Sequence, residues 1–124
     1  MTNHGTFIWN ELDTPDQTAS GTFFGALLGW TRKEIDAGPF GVYTLFQQQG
    51  RDVAGMMNPT GASPARDPRW QAYIAVTDVD ACALRVPKLG GKVVVPPHDV
   101  PEYGRVCQIS DPTGALVCLV TPRG

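Results

Sequence analysis

The spacing of apolar and polar residues along the chain predicts one order of elements that occurs twice. The stretch from Thr6 to Leu12 is rich in β-branched and aromatic residues, which is typical of a strand. Phe24 and Leu28 lie four residues apart, the spacing at which side chains on one helix face meet. The first half is therefore predicted to be β-α-β-β-β, and its three later strands are predicted at residues 30–35, 41–47 and 52–57.

Capping signals predict where the first helix begins and ends. Thr14 is a good N-cap residue, Pro15 suits the first helical position, and Gln17 completes a capping box with Thr14. Gly29 is a natural C-terminal stop. We therefore expect the helix to fill the chain between Thr14 and Gly29.

The same order of elements restarts after a polar, proline-rich stretch at residues 58–69. Trp70 to Val76 predicts a strand, and Asp78 caps a second helix that stops at Gly90. Pro87 removes one backbone hydrogen bond, so we expect it to kink or end this helix early. Strands are then predicted at 92–95, 105–110 and 115–121.

This repetition predicts the domain organisation. We expect one domain over residues 1–124, built from a module at about 5–57, a linker at 58–69 and a second module at about 70–122. A chain of this length buries enough surface for a single hydrophobic core.

Composition and charge indicate which partners and which cellular compartment to expect. The formal net charge is −2 and no basic run occurs, so we expect no nucleic-acid partner. No apolar stretch reaches the ~20 residues that cross a bilayer, and the N-terminus lacks a charged region followed by an apolar one. Cys82, Cys107 and Cys118 are odd in number and widely spaced, which favours a reducing compartment over a disulfide framework. We therefore expect a cytoplasmic protein without a membrane partner.

Several short motifs, taken in order, carry a family resemblance. They are Gly-x-Phe-x-x-x-Glu-Leu at 5–12, Thr-Pro-Asp at 14–16, Phe-Phe-Gly-x-Leu-x-Gly-Trp at 23–30, Thr-Asp-Val-Asp-Ala at 77–81, Leu-Gly-Gly at 89–91 and Asp-Pro-Thr-Gly-Ala at 111–115. Together they resemble the vicinal oxygen chelate superfamily of glyoxalases, bleomycin resistance proteins and dioxygenases. Val-Pro-Pro-His-Asp-Val-Pro at 95–101 resembles its glyoxalase-like branch.

The resemblance implies an α+β fold in which two βαβββ modules form a cup-shaped mixed β-sheet, with the helices on the outer face. It also implies a small-molecule ligand in the cup and a homodimer. Fold does not determine function, so the side chains of the cup must be considered individually.

Alternation along the strands assigns side chains to the two faces of such a sheet. Leu12 would face the first helix, which leaves Trp9 and Glu11 inside the cup. Ile74 would face the second helix, which leaves Gln71 and Tyr73 inside.

The register of the last hairpin is predicted from its turn. A turn of four residues at 111–114 places Cys107 opposite Cys118 inside the cup, with Arg105 on the same face. Applied to the first module, the internal repeat places Phe46 and Met56 on the corresponding face, inside the cup.

Aromatic residues on this predicted face would form the floor of the cup. Trp9, Phe46, Met56 and Tyr73 suit a flat or apolar ligand. The alternative is a collapsed core that leaves no room for a ligand.

Glu11 is the candidate catalytic residue. Burial in an apolar cup would raise the pKa of its carboxyl group, which suits a general acid or base. The alternative is a salt bridge with Arg105, which could itself hold a ligand carboxylate or phosphate through two hydrogen bonds.

Cys107 and Cys118 are open to several interpretations. Opposite positions on paired strands bring Cβ atoms near disulfide distance. The pair could be a redox couple, part of a metal site, or a nucleophile with its neighbour. The alternative is that both are small buried hydrophobic residues.

The resemblance also implies positions for metal ligands, at about Phe7, Ala54, Gln71 and Cys118. Phe7 and Ala54 cannot bind a metal ion, and a catalytic divalent site normally needs three protein ligands. We therefore expect no cofactor. A divalent metal held by unusual ligands, including Gln71 and Cys118, is the alternative.

These observations predict a glyoxalase-like protein that binds a small, partly apolar molecule without a metal. One alternative is an enzyme of the same fold, a lyase, isomerase or epimerase that uses Glu11 as acid and base. A metal-dependent lyase or dioxygenase with atypical ligands is the other.

Overall fold

A computed structural model describes residues 3–58, 68–100 and 103–123. These residues form eight strands and two α-helices. The order is β1 (Thr6–Asp13), α1 (Gln17–Leu28), β2 (Thr31–Asp36), β3 (Val42–Gln48), β4 (Arg51–Met57), β5 (Arg69–Ala75), α2 (Val79–Arg85), β6 (Lys92–Val100), β7 (Gly104–Ser110) and β8 (Leu116–Pro122). Residues 59–67 of the predicted linker lie outside the described residues.

The chain divides into two compact units. The first unit is Trp9–Trp70, and the second is Gln71–Gly124 together with Met1–Ile8. The strand order is β2-β3-β4-β1 in the first unit and β5-β8-β7-β6 in the second. In each unit one strand pair is parallel, β1 with β4 and β5 with β8, and the other pairs are antiparallel. The predicted α+β fold of two βαβββ modules with mixed strand pairing is confirmed.

The first unit has an aromatic core beneath α1. Leu12, Phe46 and Met56 are buried together, and Phe24 of α1 and Trp30, which lies just before β2, pack against them. The ring of Phe46 lies 4.9 Å from that of Trp30 and 6.1 Å from that of Phe24. Such ring pairs contribute roughly 0.5–1.5 kcal/mol each beyond the apolar area they bury. This packing fixes which face of the sheet α1 covers.

The second unit has a smaller, mainly aliphatic core beneath α2. Val76, Val79, Cys107 and Leu119 are buried together. As predicted, α2 ends early, and Pro87 begins a short 3₁₀ helix after it. A helix of seven residues is too short to be stable alone, so its packing on β5, β7 and β8 must hold it in place.

The start of α1 differs from the prediction. The N-cap is Asp16, whose carboxylate accepts a hydrogen bond of 2.9 Å from the backbone N–H of Ala19. Thr14 instead accepts a hydrogen bond from the N–H of Asp16, which forms a turn just before the helix. Gly29 ends α1 in the left-handed conformation, as predicted.

The strand β6 is longer than predicted and continues through Pro96 and Pro97. It lies at the end of the strand order in its unit, and its pairing with β7 shifts register on either side of Val95. Proline is tolerated at such edges and bulges, because no hydrogen bond to a further strand is lost. Neither α1 nor α2 has the length and apolar sequence that a membrane-crossing helix needs.

Candidate functional site

The turn between β7 and β8 decides which side chains of β7 face α2. Ser110 pairs with Leu116, so the turn contains five residues, 111–115, and not four. The carboxylate of Asp111 accepts hydrogen bonds from the hydroxyl of Thr113 and from the N–H groups of Thr113 and Ala115. These hydrogen bonds, that from the Thr113 hydroxyl first, hold the pKa of Asp111 below its usual value. A change of one residue in register exchanges the two faces of a strand.

The predicted position of Cys107 opposite Cys118 is therefore wrong. Cys118 pairs with Gln108, and Cys107 pairs with Leu119 and lies in the core beneath α2. Burial raises the pKa of the Cys107 thiol to about 11, so it is protonated at neutral pH and is a poor nucleophile. The two thiols lie on opposite faces of the sheet, which excludes a disulfide between them without movement of the backbone.

The predicted place of Arg105 on the face of its sheet that points away from α2 is also wrong. Arg105 is on the α2 side of β7, and its guanidinium lies 2.6 Å from the carboxylate of Asp80 and 3.2 Å from that of Asp99. Both ion pairs are substantially exposed, so they stabilise the fold only weakly. Arg105 of β7 therefore forms surface ion pairs with both α2 and β6.

The same error in the hairpin register led to a wrong prediction for Phe46 and Met56, which were assigned to the face away from α1. Both pack beneath α1, and Phe46 has no exposed surface. Thr44, two residues from Phe46 on the same face of β3, donates a hydrogen bond of 2.6 Å to Gln17 of α1. These residues belong to the core and leave the other face of β1, β3 and β4 to different side chains.

The face of the first unit that points away from α1 carries an aromatic pair, which we name the Trp9–Tyr43 bridge. The indole N–H of Trp9 in β1 donates a hydrogen bond of 2.8 Å to the hydroxyl oxygen of Tyr43 in β3. The two side chains meet over Gly55 of β4. A Cβ atom at Gly55 would overlap Tyr43 Oη and lie 3.1 Å from Trp9 Nε1. Glycine is thus required for the bridge to form.

Glu11 lies beside this bridge. It is the register partner of Gly55 and shares the face of Trp9 by alternation along β1. Its side chain is buried, with 4% exposed, whereas those of Trp9 and Tyr43 are half-buried. The predicted placement of Trp9 and Glu11 on the face away from α1 is confirmed. Tyr43 was missed, although a glycine inside a strand often marks the close approach of another group.

The second unit carries a polar cluster on the face away from α2. Gln71 Oε1 accepts hydrogen bonds from Gln108 Nε2 and from the thiol of Cys118, the latter at 3.2 Å. Gln108 is buried, and among the described residues its Oε1 has no hydrogen-bond partner. Tyr73 is the register partner of Cys118 and packs edge-on against Tyr103. The alternation along β5 correctly placed Gln71 and Tyr73 on the face away from α2. Gln108 was missed because the predicted register of the hairpin was wrong.

The donor atoms at the implied metal positions do not fit a divalent metal site. Phe7 is exposed, and Ala54 lies in the core beneath α1. Gln71 and Cys118 are adjacent, but they offer one neutral amide and one thiol, which are hydrogen-bonded to each other. Within the described residues, no three His, Cys, Asp or Glu side chains gather in a group that could hold a metal ion.

The two histidines are engaged in local contacts. His4 Nδ1 accepts a hydrogen bond of 2.9 Å from the N–H of Thr77 and lines a cleft of about 330 Å³ in the second unit. His98 Nδ1 lies 2.9 Å from the carbonyl oxygen of Pro96. Each imidazole thus has a polar contact with the backbone.

Comparison with known proteins agrees with this architecture. A model of the Glyoxalase/Bleomycin resistance protein/Dioxygenase superfamily matches residues 8–119. The chain belongs to this superfamily. Among solved structures, methylmalonyl-CoA epimerase from Mycobacterium tuberculosis superposes with a TM-score of 0.69 at 20% identity, over 100% of this chain and 92% of that one. This likeness shows a shared fold.

Two curated proteins are similar in sequence to most of this chain. It is 41% identical over 117 residues to "Putative glyoxylase CFP32" of Mycobacterium bovis, and 33% identical over 123 residues to "Anthracycline biosynthesis protein DauV" of Streptomyces sp.. The alignments cover 93% and 90% of this chain but only 45% of each relative. The chain therefore spans less than half the length of these two relatives.

Proposed function

We propose that this protein binds a small, partly apolar molecule, without a metal ion, at the Trp9–Tyr43 bridge. The observation that carries the proposal is the buried carboxyl group of Glu11 beside two half-buried aromatic side chains, on the face that α1 does not cover. Burial of a carboxyl group costs free energy, and ionisable groups in such surroundings are concentrated at functional sites.

Each part of the bridge has a distinct role in this proposal. The half-exposed rings of Trp9 and Tyr43 would stack against a flat apolar surface of the ligand. Glu11 would bind a polar group at the edge of that surface. The few polar groups of a ligand site fix the orientation of a ligand that apolar contacts hold.

The polar cluster of the second unit, taken by itself, is a separate set of proposed ligand-binding residues. Gln71 and Cys118 offer amide and thiol groups, and Tyr73 adds an aromatic ring on the same face. Cys107, Phe46, Met56 and Arg105 are not included, because they lie on the helix-covered faces.

An acid–base enzyme is the second candidate, and the position of Glu11 beside the Tyr43 hydroxyl favours it. A carboxylate in this place could remove a proton from carbon next to a ligand carbonyl and return it to the same or a neighbouring atom. That reaction class includes isomerases and epimerases. The names of the relatives refer to a glyoxylase and to anthracycline biosynthesis and do not point to one shared substrate, so the substrate has to be found by experiment.

Native mass spectrometry of protein purified without chelator tests the proposal. We expect an organic mass on the protein and no metal mass, with Trp9→Ala losing the organic mass. Trp70→Ala is the matched control, because Trp70 packs against Phe24 on the α1 side. One metal ion per chain, or equal loss from both variants, would contradict the proposal.

The variant Glu11→Gln separates binding from catalysis. It retains the shape of the side chain but removes the base. Under the binding proposal the organic mass is retained, whereas under the enzyme proposal turnover of the identified molecule is lost. We also propose that the protein is a homodimer, and the same mass spectra test this. A cytoplasmic location is likewise part of the proposal.

A further inference from the structure

The outer face of α1 differs in composition from the exposed side of an ordinary surface helix. The 12 residues of α1 include no Asp, Glu, Lys or Arg. Phe23 is 58% exposed, and Leu27, one turn further along the helix, is 63% exposed. The other exposed positions of α1 are Thr18, Ala19, Thr22, Ala26 and Leu28. Depletion of charge together with an exposed aromatic ring is typical of the centre of a protein interface.

Trp70 extends this surface beyond the helix, and we name Phe23, Leu27, Leu28 and Trp70 together the α1 patch. Leu28 and Trp70 are also exposed. The ring of Phe24 lies 5.1 Å from that of Phe23 and 5.6 Å from that of Trp70, so the aromatic members are continuous. Large apolar side chains that are exposed as a group, and not singly, mark an interaction surface.

The helix of the second unit lacks this character. Leu84 of α2 is exposed, but the same helix also presents Asp80 and Arg85 to solvent. A single apolar residue among charged ones is ordinary for a protein surface. Leu84 is therefore a matched control for the α1 patch.

The α1 patch suits a second copy of the same chain. It contains no charge, so two such patches can face each other without repulsion between like charges. The exposed parts of its four side chains amount to roughly 400 Å², if a whole large side chain has ~200 Å². A specific interface buries about 800 Å² on each partner, so the patch and the Thr and Ala residues around it can form its centre. Residues 59–67 contain no large apolar side chain that would cover the patch from within the chain.

We propose that two copies of this protein pair through their α1 patches in a two-fold symmetric dimer. This inference rests on the proposed homodimer, for which it names the interface. A two-fold interface uses the same patch on both copies, so Phe23 and Leu27 lie near its centre. The Trp9–Tyr43 bridge is on the face of the first unit that points away from α1, so this pairing leaves it uncovered.

Sedimentation velocity over a range of protein concentrations tests the pairing. We expect the wild type to be dimeric at micromolar concentrations. The double variant Phe23→Glu/Leu27→Glu places two carboxylates in each patch and should raise the Kd of the dimer at least ~30-fold, as loss of a central contact residue does. Leu84→Glu adds a carboxylate to α2 and should leave the Kd unchanged. A far-UV circular dichroism spectrum of each variant establishes that it is folded.

Oppositely charged variants test whether the patch meets itself. Phe23→Lys/Leu27→Lys should also be monomeric when it is alone. An equimolar mixture with Phe23→Glu/Leu27→Glu should form a heterodimer, because opposite charges then face each other. Native mass spectrometry identifies the heterodimer by its mass. A mixture that stays monomeric would show that the α1 patch does not pair with its own copy, and the inference would be wrong.

The remaining outcomes separate the interface from the homodimer itself. If the wild type is monomeric at every concentration, the proposed homodimer and the inference both fail. If the wild type is dimeric but Phe23→Glu/Leu27→Glu dimerises equally well, or Leu84→Glu dissociates to the same extent, the homodimer stands and its interface lies elsewhere. Should the double variant not fold, Leu27→Glu alone decides between these results. The organic mass on the protein tests the ligand proposal independently of all of them.

Discussion

The two units share one order of elements but differ in the types of side chain that they bury. The first unit has an aromatic core beneath α1, and on its other face the carboxyl group of Glu11 is buried beside the Trp9–Tyr43 bridge. The second unit has an aliphatic core beneath α2, and its other face carries the amides and thiol of the Gln71 cluster. The βαβββ order therefore determines which strands pair and which face a helix covers. It leaves the remaining face free to differ between the units.

Two glycines illustrate the same contrast at single positions. Gly55 in the first unit makes room for the side chains of Tyr43 and Trp9, whereas a Cβ at Gly91 in the second unit would lie 2.5 Å from the backbone oxygen of Ser110. A side chain can move away from an added methyl group, but a paired strand backbone cannot. The first glycine thus serves the candidate site, and the second serves the packing of the chain.

The largest expected effect on the free energy of unfolding comes from truncation of a core side chain in each unit. Phe46→Ala should lower the free energy of unfolding by about 3–5 kcal/mol, because it removes a ring that packs against Trp30 and Phe24. Cys107→Ala, at the matching place beneath α2, should cost about 1 kcal/mol, since only a sulfur atom is lost. Urea unfolding curves measure the loss of unfolding free energy in both variants, provided that their slopes are unchanged from the wild type. Equal losses would show that the aromatic core is not the more stabilising of the two.

A smaller effect is expected from the glycines. Gly55→Ala and Gly91→Ala should each destabilise the protein by about 1–3 kcal/mol through overpacking. Adding Tyr43→Leu to Gly55→Ala removes the overlapping atoms and should restore part of the lost stability. No side-chain truncation should rescue Gly91→Ala in the same way. A double variant less stable than the sum of its single changes would refute the proposed role of Gly55.

The helix caps should contribute similar amounts in the two units. Asp16 and Asp78 each accept a hydrogen bond from a backbone N–H in the first turn, at 2.9 Å and 3.0 Å. Asp16→Ala and Asp78→Ala should each cost about 1 kcal/mol in thermal unfolding. Asp16→Asn and Asp78→Asn retain an acceptor oxygen and should be close to the wild type. A much larger loss at Asp78 would show that the short helix α2 depends on its cap more than α1 does.

The smallest effect concerns the ion pair between Arg105 and Asp80 in the second unit. The hydrogen bond from Arg105 lowers the pKa of the Asp80 carboxyl below its usual value of 3.8. Its contribution to stability is therefore present above about pH 3.8 and is lost as the pH falls through the lower, folded-state pKa. Asp80→Asn should cause a small loss at neutral pH, which vanishes in acid and in high salt. A loss that persists in acid would show that Asp80 acts through packing.

The sequence predicted much of the fold and part of the candidate site. The alternation of apolar residues placed Leu12 beneath α1 and left Glu11 on the other face, and the structure agrees. It placed Ile74 and Gln71 on opposite faces of β5, which is also correct. The cores beneath the helices were less well predicted, because Phe46 and Met56 were assigned from the hairpin and not from their own strands.

The sequence by itself determined the order of elements, the end of α1 at Gly29 and the motifs of the superfamily. These are local properties, since periodicity and caps act over a few residues. Only the tertiary structure decided the register of β7 and the meeting of Trp9 with Tyr43 over Gly55. The register depends on whether the turn after Ser110 has four or five residues, which the hydrogen bonds of Asp111 settle. The bridge depends on pairing between strands distant in the chain, a long-range interaction that alternation along one strand cannot predict.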